Sequence, residues 1–80
     1  MWKVKAVVKL KEGVLDVQGR AVESAMKQMG YADVKDLRIG KFIEFSSGQQ
    51  PDEKRLKEIG ETLLANPVIE TIEVLVEKVP

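Results

Sequence analysis

The residues best suited to chemistry in this chain lie in one short stretch, Gly13–Val22, whose sequence is GVLDVQGRAV. Asp16 is a good N-cap for a helix, because its carboxylate can accept hydrogen bonds from the free amides of the first turn. Those amides, with Gln18, Gly19 and the Arg20 guanidinium, would form a place where an anion such as a partner's carboxylate could dock. A second interpretation stays open, in which Gly19 permits close packing and Arg20 pairs with a nearby acid.

The side chains most often needed for catalysis are missing from the composition. The chain has no histidine and no cysteine, so a serine or threonine would have no imidazole base and a metal would lack its commonest ligands. The glycines of the first stretch are not followed by the Lys-Ser or Lys-Thr pair of a phosphate-binding P-loop. The many carboxylates form no evident acid–base pair. We therefore predict no catalytic, cofactor-binding or metal-binding residue, and no activity from the isolated chain.

Length and charge limit the remaining possibilities. Eighty residues form one small domain, 1–80, which buries only about 60% of its unfolded surface and so has a marginal core of its own. Without disulfides or metal, association with other chains is the remaining source of stability. Thirteen basic and thirteen acidic residues give no net charge, which argues against nucleic acid as a partner. No apolar run is long enough to span a membrane and the N-terminus does not resemble a signal peptide, so we predict a cytoplasmic protein with no membrane partner.

The first two predicted elements position these residues. Apolar residues alternate with lysines from Trp2 to Leu10, which predicts a strand with one buried face and one solvated face. Phosphate binding by this lysine face stays open as an alternative. A helix then runs from Asp16 to Gly30, because apolar residues recur there at helical spacing and glycine suits the C-terminal stop. The apolar stripe of this helix consists of Ala21, Val22, Ala25, Met26 and Met29.

The middle of the chain permits two interpretations. Residues Val34–Ser46 form either a hairpin that turns at Gly40 or one long strand that is kinked there. We favour the long strand, because it places most apolar side chains on one face, whereas the hairpin mixes polar and apolar residues on each face. A second helix begins at Pro51 and ends before Pro67. Its predicted buried stripe consists of Leu56, Ile59, Leu63 and Leu64.

The last predicted strand, Val68–Val79, is apolar on both faces. One sheet covered by helices on a single side cannot bury both sets of side chains, so a second sheet or a second chain must cover the other face. We therefore predict an α+β fold of β-α-β-α-β type, with two helices over one sheet, that assembles through its sheets into a dimer or tetramer. The predicted interface residues are Val68, Ile69, Ile72, Val74, Leu75 and Val76.

Three stretches of the chain together resemble a known family. GVLDVQGRAV, RIGKFIE and LLANPVIE occur in the order and spacing of the PurS family, the small subunits of phosphoribosylformylglycinamidine (FGAM) synthase in bacteria and archaea. The resemblance covers nearly the whole chain, although many members have proline at the position of Val17. It implies an α+β homo-oligomer that joins a large synthetase subunit, PurL, which uses ATP and Mg, and a glutamine amidotransferase subunit, PurQ. In such complexes the small subunit bridges the other two and assists ammonia transfer in de novo purine biosynthesis.

The resemblance and the chemistry of the first stretch together indicate where partners would bind. The candidate docking residues are Asp16, Gln18, Gly19, Arg20, Arg38 and Lys41. The positions that match the third motif are Leu64, Ala65, Asn66 and Glu70. Two alternatives from other classes stay open: an ACT-like regulatory domain that binds a small molecule at the loop KEGVLDVQG, and a plain oligomerisation module.

Overall fold

The computed structural model describes all residues, 1–80, and its elements alternate between strand and helix. In chain order they are β1 (Trp2–Leu10), α1 (Val17–Gln28), β2 (Lys41–Ser47), α2 (Glu53–Ile59) and β3 (Glu70–Lys78). A π-helical turn, Gly60–Leu64, extends α2. This order confirms the predicted α+β fold of β-α-β-α-β type.

β1 is the centre of a three-stranded antiparallel sheet in the order β2-β1-β3. Its register places Ala6 between Ile43 and Val74, so these apolar side chains share one face of the sheet. We call this the inner face; the helical segments cover it, and Val4, Ala6 and Val8 are at most 1% exposed there. The alternation of the sequence therefore predicts the buried face of β1 correctly.

The opposite face of the sheet, the outer face, carries the lysines of β1. Lys3 Nζ lies 3.1 Å from Glu44 Oε1, and Lys5 Nζ lies 3.7 Å from Glu77 Oε2, so both cations pair with acids of the neighbouring strands. Partly exposed pairs of this kind contribute only about 0–1 kcal/mol each. These lysines lie at the surface, as the alternation predicts.

α1 begins and ends where the sequence predicts. The Asp16 side chain caps the first turn, and Gly30 follows the last turn with a φ of 103°, a left-handed conformation that favours glycine. The apolar stripe of the helix has little to pack against within the chain, since Met29 is 76% exposed and Val22 is 41% exposed. This side of α1 therefore leaves apolar surface uncovered.

The prediction of one long strand over Val34–Ser46 is wrong for the part before β2, which begins directly after Gly40. Asp36 has a φ of 56°, which interrupts an extended chain. The amides of Leu37 and Ile39 donate to side-chain carboxylates instead of to a neighbouring strand. The hairpin alternative is also wrong, because β2 pairs with β1 and not with the residues that precede it.

The second helix changes its winding near its end. Leu56 is buried as predicted, and Gly60 lies so close to Ile72 of β3 that a Cβ would come within 3.1 Å of that side chain. From Gly60 the helix takes one π-helical turn, which is closed by a 2.8 Å bond from the Ala65 amide to the Gly60 carbonyl. This wider turn rotates the following residues, so the predicted burial of Leu63 is wrong: the residue is 76% exposed.

The last strand begins later than predicted. β3 starts at Glu70, and the interface candidates Val68 and Ile69 lie in the turn before it, so their assignment to a strand is wrong. Asn66 Oδ1 accepts a hydrogen bond from the Val68 amide, and this local turn keeps both residues out of the strand. The other candidates alternate as predicted: the inner face carries Ile72, Val74 and Val76, and the outer face carries Leu75.

The single chain is extended for its length. Its radius of gyration is 16.0 Å, against about 12 Å for a compact domain of this size, and its principal extents are 48 × 31 × 14 Å. The accessible surface of 6335 Å² likewise exceeds the roughly 4,900 Å² expected for a monomer of 9.0 kDa. Part of this surface is apolar and lies on the outer face, at Val7, Phe42 and Leu75. Assembly through the sheets would bury it.

Candidate functional site

The three sequence motifs meet at one end of the sheet. β1 ends there, and because both of its neighbours run antiparallel to it, β2 and β3 begin there. The first turn of α1, residues 37–41 and the turn before β3 therefore lie together. Hydrogen bonds between these segments fix the geometry of the site.

Asp16 holds two of these segments together. Its Oδ1 atom accepts a hydrogen bond from the Gly19 amide at 2.8 Å, and its Oδ2 atom accepts one from the Ile39 amide at 2.8 Å. These two hydrogen bonds hold the pKa of Asp16 below its usual 3.8, and the one from Ile39 has the larger effect. The positive charge of Arg38 also lowers this pKa, whereas burial of the carboxyl group raises it. The ionised Asp16 carboxylate therefore stabilises the folded chain fully at pH values above about 3.8, the pKa of this group in the unfolded chain. This stabilisation is lost as the pH falls through the lower pKa of the folded chain.

Gly19 is buried against the segment that Asp16 binds. A Cβ atom at this position would collide with the Asp16 carboxylate and would come within 2.7 Å of the Leu37 carbonyl oxygen. Glu23, one turn further along α1, accepts a hydrogen bond from the Leu37 amide at 3.0 Å. The geometry supports the close-packing interpretation of Gly19, because the missing side chain lets α1 approach residues 37–39.

The charged residues of the second motif also serve the fold. Arg38 Nη2 donates to the backbone carbonyls of Leu10 and Lys11, at 3.2 Å each, and so ties the segment to the end of β1. Lys41 Nζ lies 4.0 Å from Glu70 Oε2, at the limit of an ion pair. The chain itself therefore engages both of these candidate docking cations, at least in part.

The third motif builds the turn before β3. The Asn66 side-chain oxygen accepts a hydrogen bond from the Val68 backbone amide at 3.0 Å. The Asn66 backbone amide donates a hydrogen bond to Glu70 Oε1 at 2.7 Å. The Ile69 carbonyl accepts a bond from the Lys11 amide at 2.8 Å, which joins the turn to the end of β1. These residues shape the chain at this end of the sheet.

Two clefts flank Asp16. The larger, about 740 Å³, lies between the end of β1, the start of α1 and residues 36–38, and it is lined by both charged and apolar side chains. Its charged lining residues are Lys9, Lys11, Glu12, Asp16, Arg20, Glu23, Asp36 and Arg38. The smaller cleft, about 260 Å³, adds Gln18 and Lys41.

The structure thus brings all of the candidate docking residues to one end of the sheet, although Gly19 is buried and offers no side chain. The Arg20 side chain makes no hydrogen bond or ion pair within the chain, so its pairing with a nearby acid is not supported. Sequence reasoning leaves Lys9 and Lys11 out of the docking candidates, because the alternation of β1 favours a solvated lysine face and gives phosphate binding only as the alternative. Their position just before the glycine-rich stretch was the signal that could have found them.

The lining of the larger cleft is suited to binding. Thr71 supplies a hydroxyl group, but no histidine is present to act as its base. No group of three or more histidine, cysteine, aspartate or glutamate side chains is arranged to hold a metal ion. No helix combines the length and the apolar composition needed to cross a membrane. The cleft instead offers charges at its rim, with apolar side chains such as Leu10, Leu15 and Leu37 between them.

An extended α+β chain with an uncovered sheet face and a charged cleft at one end of the sheet has the surfaces expected of a small subunit that associates with other chains. The family model for PurS, described as phosphoribosylformylglycinamidine (FGAM) synthase, matches residues 3–78. The chain therefore belongs to the PurS family, whose members are subunits of FGAM synthase in purine biosynthesis.

Individual relatives agree with this family in sequence. The chain is 47% identical over 81 residues to the phosphoribosylformylglycinamidine synthase subunit PurS of Bacillus subtilis strain 168, and the alignment covers 99% of this chain and 96% of the relative. A B. subtilis PurS crystal structure superposes with a TM-score of 0.88 at 49% identity, over 98% of this chain and 100% of that chain.

Two structures from other organisms have the same fold. Methanocaldococcus jannaschii PurS, described as one of the subunits of formylglycinamide ribonucleotide amidotransferase in the purine biosynthetic pathway, gives a TM-score of 0.82 at 34% identity over 100% of both chains. A chain from the structure of PurLQS of Thermotoga maritima gives 0.78 at 31% identity, over 96% of this chain and 99% of that chain. Neither the ACT-like domain nor the plain oligomerisation module is supported by these comparisons.

Proposed function

We propose that this chain is the small bridging subunit of an FGAM synthase complex. It holds a PurL-type synthetase subunit and a PurQ-type glutamine amidotransferase subunit together and assists the passage of ammonia between them. The observation that supports this most is the match over nearly the whole chain to PurS subunits, one of which superposes from the Thermotoga maritima PurLQS structure.

The chemistry of the complex resides in the partners under this proposal. Glutamine hydrolysis belongs to the PurQ-type subunit, and the use of ATP and Mg belongs to the PurL-type subunit. The chain also binds itself in a dimer or tetramer, for which the outer-face patch at Val7, Phe42 and Leu75 provides apolar surface. Its location is the cytoplasm, and neither nucleic acid nor a membrane is a partner, in keeping with its net charge of zero.

Addition of this chain to the two partner subunits is expected to raise the rate of glutamine-dependent FGAM synthesis. The gain should be much smaller when free ammonia is supplied, because ammonia from solution does not have to pass from one active site to the other. The measurement is the initial rate with each nitrogen source, with and without this chain, at saturating ATP.

The control for this experiment is an unrelated protein of similar size, added at the same concentration. Equal stimulation with glutamine and with ammonia would point to activation of the synthetase alone and would contradict the transfer role. No stimulation with either nitrogen source would contradict the proposed function as a whole.

The isolated chain is expected to turn over neither glutamine nor ATP. It has no histidine and no cysteine, so it lacks the usual nucleophile and base of glutamine hydrolysis. The measurement is glutamate and phosphate release by the purified oligomer, repeated after a further purification step that removes contaminating enzymes. Activity that stays proportional to this chain through that step would overturn the assignment of the chemistry to the partners.

A further inference from the structure

Three cations of the larger cleft are not used by the fold. The side chains of Arg20, Lys9 and Lys11 make no ion pair or hydrogen bond within the chain, and each residue is exposed. Their backbones are fixed, because Lys9 lies in β1, Arg20 lies in the first turn of α1, and the Lys11 amide bonds to the turn before β3 at 2.8 Å. The three side chains therefore extend from fixed backbone positions around one cleft of about 740 Å³.

Two of the acidic side chains of the same cleft are bonded to other groups of the chain. Both oxygens of Asp16 accept backbone amides. Glu23 accepts a backbone amide as well, and its carboxylate lies 3.7 Å from Lys27 Nζ. Glu12 and Asp36 are the acids of the cleft that have no partner in the chain. The side chains that remain free to meet a ligand are thus three cations and two acids, and this excess of positive charge favours an anion.

We infer that this cleft docks an acidic segment of a non-identical partner subunit, whose carboxylates contact Arg20, Lys9 and Lys11. This inference rests on the proposed function, because it names the surface through which the bridging chain binds. Arginine suits the contact, since its planar guanidinium can hold a carboxylate with two hydrogen bonds. Leu15, which lines the same cleft and is 62% exposed, would be covered by an apolar side chain of the segment.

A protein segment fits this cleft better than a small anion does. Small ligands are held where most of their own surface is buried, whereas these cations lie on an exposed rim. A partner that covers the rim excludes water from the contacts and so strengthens them. A second copy of this chain also fits less well, because a two-fold contact centred here would set the same cations against one another.

Affinity measurements on the complete oligomer test this assignment. Arg20→Ala, and separately the double variant Lys9→Gln/Lys11→Gln, are titrated with the PurL-type and the PurQ-type subunit at low and at high salt. We expect at least one of the two subunits to bind each variant about tenfold or more weakly, with a shallower dependence on salt. Arg20→Lys should recover part of the affinity.

Arg55→Ala is the matched control. Arg55 is an exposed arginine of α2 that makes no ion pair and lies outside this cleft, so its removal should leave both affinities unchanged. Circular dichroism and light scattering establish that each variant keeps the fold and the oligomeric state of the wild-type chain.

Three outcomes would overturn the inference. Wild-type affinity in both cleft variants would show that the acidic segment does not dock here, while the proposed function would stand. Binding of inorganic phosphate to the free oligomer, abolished by Arg20→Ala without any change in partner affinity, would assign the cleft to a small anion. Failure of the wild-type chain to bind either subunit would overturn the proposed function, and this inference with it.

Discussion

Replacement of Gly19 by alanine is expected to lower the free energy of unfolding by about 2–4 kcal/mol. The added methyl group has no room, because it collides with the Asp16 carboxylate and comes within 2.7 Å of the Leu37 carbonyl oxygen. Overpacking of this kind costs about 1–3 kcal/mol, and displacement of Asp16 removes a helix cap worth about 1 kcal/mol more. Urea denaturation at one fixed chain concentration measures the change, since the stability of an oligomer depends on concentration.

Gly48→Ala is the matched control for this variant. A Cβ at Gly48 meets no atom within 4 Å, and the backbone there is not left-handed, so the variant should unfold at the denaturant concentration of the wild-type chain or slightly above it. Equal stability of the two alanine variants would show that α1 can move away from residues 37–39 at little cost. The structural role given to Gly19 would then be wrong.

Leu75→Lys is expected to weaken self-association about 100-fold or more while leaving the single chain able to fold. Leu75 lies on the outer face, opposite Lys5 of β1, and is 55% exposed in the single chain. In an oligomer that covers this face the new lysine would be buried against apolar groups. An unpaired buried charge costs several kcal/mol, and affinity changes tenfold per ~1.4 kcal/mol. Light scattering over a range of chain concentrations measures the shift towards monomer.

Leu63→Lys provides the comparison for the sheet variant. Leu63 is also exposed, at 76%, but it lies in the π-helical turn and not on the sheet, so its replacement should leave the oligomer unchanged. Association of Leu75→Lys as tight as that of the wild-type chain would mean that the outer face is not the interface. Equal dissociation of both variants would mean that the loss of self-association does not depend on the position of the new lysine on the sheet.

The parts of the fold that depend on local patterns could be predicted from the sequence. β1 was predictable because burial alternates with every residue along a strand, and the buried residues Val4, Ala6 and Val8 follow that period. The limits of α1 were predictable because Asp16 and Gly30 act through their own backbone neighbours. The sequence does not show which strand ends lie together. The meeting of the candidate docking residues at one end of the sheet could therefore be predicted only from the three motifs, which occur in the order found in the family.

The parts that depend on distant partners could not be predicted. The Ile39 amide bonds to Asp16 and the Leu37 amide bonds to Glu23, so residues 34–40 leave the extended conformation that their apolar residues favour. No local pattern pairs an amide with a carboxylate so far away in the chain. The exposure of Leu63 escaped prediction for a related reason, because helical periodicity assumes α-helical winding throughout.

A π-helical turn holds one residue more than the α-helical turn that it replaces. Gly60–Leu64 therefore has the winding of a helix that carries one extra residue within a single turn. Gly60 makes this possible, because a backbone without a side chain can lie against Ile72 where a Cβ would be tightly packed. The extra residue is taken up before β3 begins, so the register of the sheet depends on the pairing of the strands and not on the length of the helix.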